Sequence, residues 1–179
     1  MTESTDTPTG KKLEELYELI DEMPIAMMTT RRPDAMLVSR PMDTQQRDAV
    51  SDLWFVTDIE TEKVDELESD PHVCLAYYND RNKQWVSVSG TVTITQDREQ
   101  IRRLHKPDWN AWFPDEGGNR DGGPEDPRLA LILVDAHTVT YMKAKHSKPV
   151  TLFKVGLGIA TGTQPDVGRV EHLGPDELK

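Results

Sequence analysis

The feature that most restricts the fold is a series of short, strand-like runs joined by short polar turns. Residues 85–95 alternate, with Val86, Val88 and Ile94 set against Ser87, Ser89 and Thr93, the period of a strand with one buried face. Gly90 interrupts this run, as at a bulge or a close backbone approach. Residues 25–30 and 36–42 are two further runs, separated by Arg31-Arg32-Pro33-Asp34, which reads as a hairpin turn. Residues 53–57 and 72–78 add a third and fourth strand. Residues 129–134 and 138–142 form either one long bent strand or a pair.

Helical periodicity is confined to short stretches. Thr9 is placed to cap a helix over 11–22, with Leu13, Leu16, Tyr17 and Ile20 on one face and Pro24 ending it. Residues 61–69 predict a second helix with Val64 and Leu67 inward, stopped by Asp70-Pro71. Asp97 caps a third, with Gln100 at the capping-box position. Residues 107–113 are aromatic, 114–127 read as a mobile Gly/Pro/Asp loop, and 150–159 as a weak glycine-containing helix. Six or seven strands, mostly antiparallel by their short links, make this a mainly β chain: a small barrel with peripheral helices. The expected layout is a disordered leader over 1–9, one domain over 10–165, and a polar tail over 166–179.

Composition narrows the partners. The 179 residues carry a formal net charge of -11 at pH 7, and charged residues make up 30% of the chain. Such a surface repels phosphate backbones and anionic membranes, which disfavours nucleic acid and lipid as partners. Any anionic ligand then needs a local cluster of bases. The single cysteine, Cys74, allows no internal disulfide and sits in an apolar run as a core residue would. No stretch approaches the roughly 20 apolar residues that span a bilayer, and the first ten residues lack a signal-peptide pattern. The expected location is the cytoplasm. The five histidines show no metal-ligand spacing. The acidic run 58–70 reads as a solvated helix face.

Two places have the chemistry for an anion. Arg40 follows Ser39 at the end of the second strand, where Pro41 removes a ladder donor and marks a rim. Arg40 and Met42 share one strand face, Ser39 and Pro41 the other. A rim arginine can grip phosphate through two parallel hydrogen bonds, or simply pair with a surface carboxylate. The second place is the strand ending in Val56-Thr57, followed by Lys63 in the first turn of a helix. There a hydroxyl, a cation and free backbone N–H groups come together. A small basic cluster at Lys143, Lys145, His146 and Lys148 either balances nearby carboxylates or steers an anionic cosubstrate such as a nicotinamide nucleotide.

Taken in order, these features resemble a known family. Val38-Ser39-Arg40-Pro41-Met42, Leu53-Trp54-Phe55-Val56-Thr57, Lys63, the run from Asp70 to Tyr78, Trp85-Val86-Ser87-Val88-Ser89-Gly90 and Ala111-Trp112-Phe113-Pro114-Asp115 are collinear with general stress protein 26-like members of the pyridoxamine 5'-phosphate oxidase-like superfamily. The resemblance covers about residues 11–165. It implies an antiparallel split β-barrel that forms a homodimer with FMN in a groove where the subunits meet; FAD and the deazaflavin F420 are the alternatives. It places the phosphate near Ser39, Arg40 and Lys63, with Thr57 close by and Met42 in the same cofactor set. Val56 and Thr57 would line the flavin, Trp85 would approach the ring, and Trp109 and Trp112 would close over it. The implied activity is an oxidoreductase using NAD(P)H, with no side chain named as catalytic because the cofactor carries the chemistry. The alternatives are a module that holds or senses flavin, and a dimerising stress protein with no cofactor. The basic C-terminal motif of true pyridoxamine phosphate oxidases has no counterpart, since Arg169 is the only arginine of the tail. That oxidase reaction is not expected.

Overall fold

A computed structural model describes residues 2–3, 7–49, 51–144 and 168–178. The segment 150–159, with Lys145, His146 and Lys148, lies outside these residues. The described chain contains β1 (Thr2–Glu3), α1 (Thr9–Glu22), β2 (Ile25–Arg31), β3 (Leu37–Asp43), β4 (Leu53–Asp58), α2 (Glu62–Ser69), β5 (His72–Asn79), β6 (Gln84–Thr95), α3 (Arg98–Leu104), a 3-10 turn (Pro107–Ala111), β7 (Leu129–Ala144) and β8 (Gly168–Leu173). The strands form one sheet in the order β1-β8-β7-β6-β5-β2-β3, with β4 also paired to β7. β4 and β8 both run antiparallel to β7, and β1 runs parallel to β8. β7 is a single strand: its first part pairs with β4 from Leu129 to Val134, its last part with β8 from Val139 to Ala144.

The chain divides into two compact units. The first takes Met1–Met28, Cys74–Ser89 and Ala136–Lys179, the second Thr29–Val73 and Gly90–Asp135. In the first, α1 begins at Thr9, with Pro8 rather than Thr9 as its N-cap. A proline has no N–H to donate, and Pro8's carbonyl instead accepts from Lys11 and Lys12. The Thr9 hydroxyl donates to Glu177. The helix buries Glu15, Leu16, Leu19 and Ile20, so its inward stripe is rotated from the expected one. Glu15 goes inward because it accepts from the Tyr141 hydroxyl and the Arg169 guanidinium. β8 lies in a segment expected to be a polar tail: Val170 and Leu173 are buried, as is Glu171, which accepts from Thr7 and ion-pairs with Arg169.

In the second unit the hairpin turn between β2 and β3 places Ala35 at φ 66, a left-handed conformation that costs a non-glycine residue roughly 1 kcal/mol. The turn is closed by the Arg32 N–H to Met36 O and the Ala35 N–H to Arg32 O. A cluster of Trp54, Ile101, Trp109, Phe113, Leu129 and Leu131 forms the core, with Val56, Leu104 and Leu133 against it. Each such side chain contributes about 1.5–3 kcal/mol by leaving water. α3 brings Ile101 to this cluster, and the Asp97 carboxylate caps it by accepting from the Glu99 and Gln100 N–H groups. Gln100 does not complete a capping box, and its buried Oε1 has no partner among the described residues. The loop over 114–127, expected to be mobile, is tied down: Arg128 donates to Pro114 O, to Glu116 and to both oxygens of Asp126.

Candidate functional site

The candidate site lies within the second unit and is built by β2, β3, β4 and α2. Alternation on β2 sends Ala26, Met28 and Thr30 inward, so a hydroxyl ends an otherwise apolar row. On β3 the same alternation turns Arg40 and Met42 to one side and Ser39 to the other. Arg40 reaches back across the hairpin. Its Nη1 donates to Thr30 Oγ1 at 2.7 Å, and its Nη2 donates to Glu66 Oε2 at 2.7 Å. Thr30 Oγ1 in turn donates to Glu66 Oε2 at 2.6 Å. Thr30 therefore accepts from the base and donates to the acid, which fixes both.

Glu66 corrects the expectation that the acidic run 58–70 is a solvated face. Its side chain is 6% exposed while that of Arg40 is 20% exposed. The first turn of α2 sets Lys63 three residues before Glu66, hence on the same side of the helix. Lys63 Nζ donates to Thr57 Oγ1 at 2.8 Å and to Thr61 Oγ1 at 3.2 Å. Thr57 is buried at the end of β4, and Thr61 sits at the N-cap of α2 without a side-chain capping bond. A strand end and a helix start thus deliver the lysine and its two hydroxyls from adjacent sequence.

The electrostatics are those of two cations drawn together. Lys63's ammonium is pushed below the ordinary lysine value, first by burial and then by the Arg40 charge; Asp58 and Glu66 act the other way without restoring it. For Glu66, burial alone would raise its carboxyl. The hydrogen bonds from Thr30 and Arg40, with the arginine charge, outweigh that and hold it below the ordinary carboxylate value. An anion in contact with Arg40 and Lys63 would relieve the like-charge penalty on the lysine.

The structure brings Arg40, Thr57 and Lys63 together and sets the other expected residues elsewhere. Ser39 is on the opposite face of β3, where its hydroxyl lies 2.7 Å from that of Thr29. Met42 is buried in the core and Val56 is half-buried against the tryptophan cluster. Trp109 is 3% exposed. Its indole N–H donates to Gln45, and its ring meets Trp54 and His105 edge-on. Trp112, three residues on, is 80% exposed. Trp85 is half-buried on β6, in the first unit. Thr30 and Glu66 were missed from the sequence. Their signals were present: a threonine on the inward register of β2, and a glutamate beside the inward Val64 and Leu67 of α2.

A family model described as pyridoxamine 5'-phosphate oxidase like matches residues 11–166. Protein bli-3 of Neurospora crassa is 34% identical over 98% of this chain and 85% of its own length. Among solved structures, a putative general stress protein 26 from Jannaschia sp. CCS1 superposes with a TM-score of 0.70 at 19% identity, covering 92% of this chain and 99% of its own. A pyridoxamine 5'-phosphate oxidase-related, FMN-binding protein from Nostoc punctiforme superposes with a TM-score of 0.56 at 14% identity, covering 78% and 85%. The fold is therefore the mostly antiparallel split barrel expected from the strand pattern. By the span of the family match and the identity to its fungal relative, the chain belongs to the pyridoxamine 5'-phosphate oxidase-like family.

Proposed function

We propose that this protein is a homodimeric, FMN-binding oxidoreductase, with Arg40 and Lys63 holding the flavin's phosphate. The observation that carries the reading is the pairing of two bases in a chain of net charge -11, close enough for one to depress the other. A flavin phosphate needs such bases, and hydroxyls near them; Thr57 and Thr61 supply the hydroxyls. Family membership and the FMN-binding Nostoc relative support the same ligand. Trp112, exposed three residues after the buried Trp109, is an aromatic side chain available to lie against a flat ring. The bound flavin would accept hydride from NAD(P)H, and the chain's own residues bind and orient it.

Titration of the purified protein with FMN, riboflavin, FAD and F420, followed by visible spectroscopy, tests this. Arg40→Ala with Lys63→Ala should weaken FMN binding by at least about 100-fold, on the scale of charge-assisted hydrogen bonds. Riboflavin binding should change little, because it has no phosphate. Equal losses for both ligands would place the phosphate elsewhere. Bleaching of the bound flavin by NAD(P)H marks a reductase, and binding without bleaching marks a holding module.

A further inference from the structure

Glu66 is a carboxylate in the one place where the proposed ligand brings its own negative charge. It is 5% exposed, it contacts Arg40 directly, and Oε2 takes hydrogen bonds from both Arg40 and Thr30. A site built only to retain a phosphate has no use for it: among the three ionised groups, Glu66 cancels one of the two positive charges. A guanidinium has five N–H donors, and the bonds to Thr30 and Glu66 take one on each terminal nitrogen. Arg40 can therefore meet an incoming anion without releasing Glu66. The carboxylate then stays beside the phosphate and repels it.

We infer that Glu66 is a built-in counter-anion that keeps the flavin phosphate exchangeable, so that FMN acts as a dissociable ligand of this protein. The inference rests on the reading of Arg40 and Lys63 as the phosphate site. Two effects of Glu66 oppose each other. It positions Arg40, which favours binding, and it repels a dianion, which disfavours it. Glu66→Gln separates them, because the amide oxygen can still accept from Arg40 and Thr30 while the charge is gone.

Glu66→Gln should bind FMN about tenfold tighter at pH 7.5, a difference of roughly 1.4 kcal/mol, with riboflavin affinity unchanged. The gain should shrink toward pH 5, since the phosphate's second pKa is about 6 and a monoanion feels less repulsion. A purely structural role for Glu66 would not produce that pH profile. FMN affinity that is unchanged or weaker in Glu66→Gln overturns the proposal. The unmodified protein gives a second reading that needs no variant: it should lose its FMN on gel filtration in flavin-free buffer, and stoichiometric retention also overturns it. If Arg40→Ala with Lys63→Ala does not discriminate FMN from riboflavin, the phosphate site itself fails and this role falls with it. If that pair discriminates and Glu66→Gln does not tighten FMN, only the role of Glu66 fails.

Discussion

Arg128 and Asp126 show what a single buried pair does for a segment that has neither helix nor strand. Asp126 is fully buried and accepts from the Gly122 and Arg128 N–H groups as well as from the Arg128 guanidinium. Those hydrogen bonds, led by the Arg128 side chain and opposed by burial, hold its carboxyl far below the usual carboxylate range. A carboxyl depressed on folding contributes stability that is present above its unfolded value, about 3.9. That contribution is lost as pH falls toward and through the folded value. Asp126→Asn should therefore lower the melting temperature at pH 7 and flatten its decline between pH 5 and pH 2. Asp126→Ala, which leaves the buried Arg128 paired only with the half-exposed Glu116, should cost about 3 kcal/mol at pH 7. Thermal melts of the three proteins from pH 7 down to pH 2 check both signs, and parallel declines would show that Asp126 is not the group being titrated.

At the scale of elements, the 3-10 turn at Pro107–Ala111 is attached to the core by one side chain. Trp109 packs in the cluster of Trp54, Ile101, Phe113, Leu129 and Leu131 and is 3% exposed. Trp109→Ala should cost about 3–5 kcal/mol of stability and leave the ratio of FMN to riboflavin affinity unchanged, as calorimetric titration of the folded variant would measure. A selective loss of FMN would give the ring a part in the site. The six strands β2–β7 and the three helices were legible because their apolar residues repeat at the right period and proline or polar turns separate them. β8 was not, because its inward row includes Glu171, and a buried charge reads as exposure until its partners Thr7 and Arg169 are known. The same blindness hid Glu66. Arg40 and Lys63 stand out in the sequence because each sits in one of the collinear motifs. Alternation sends Ser39 to the face opposite Arg40, and packing draws Trp109 into the core, which its place in an aromatic run did not reveal.

For the whole molecule, the proposed dimer raises the question of how a chain this acidic would join a second copy of itself. Within the first unit, the neighbouring strands β6, β5 and β2 carry an outward row that is unusually free of charge. Ile25, Met27 and Tyr78 are 51%, 41% and 60% exposed, and Cys74, Ala76 and Ser87 occupy the outward positions of β5 and β6. Contiguous exposed apolar side chains on a sheet face mark an association surface. The charge of -11 on each copy opposes the approach, and salt screens that repulsion over about 8–10 Å at ordinary ionic strength. Added salt should therefore strengthen the dimer, the reverse of an association driven by opposite charges. Light scattering should give a dimer for the unmodified chain. Met27→Asp with Tyr78→Asp should give a monomer whose far-ultraviolet circular dichroism is unchanged, because both side chains point away from the core. If the groove for FMN is completed by the second copy, the monomer should also lose flavin binding while Arg40 and Lys63 remain intact. A variant that stays dimeric would move the interface off this face, and a monomer that still binds FMN fully would put the whole site in one chain.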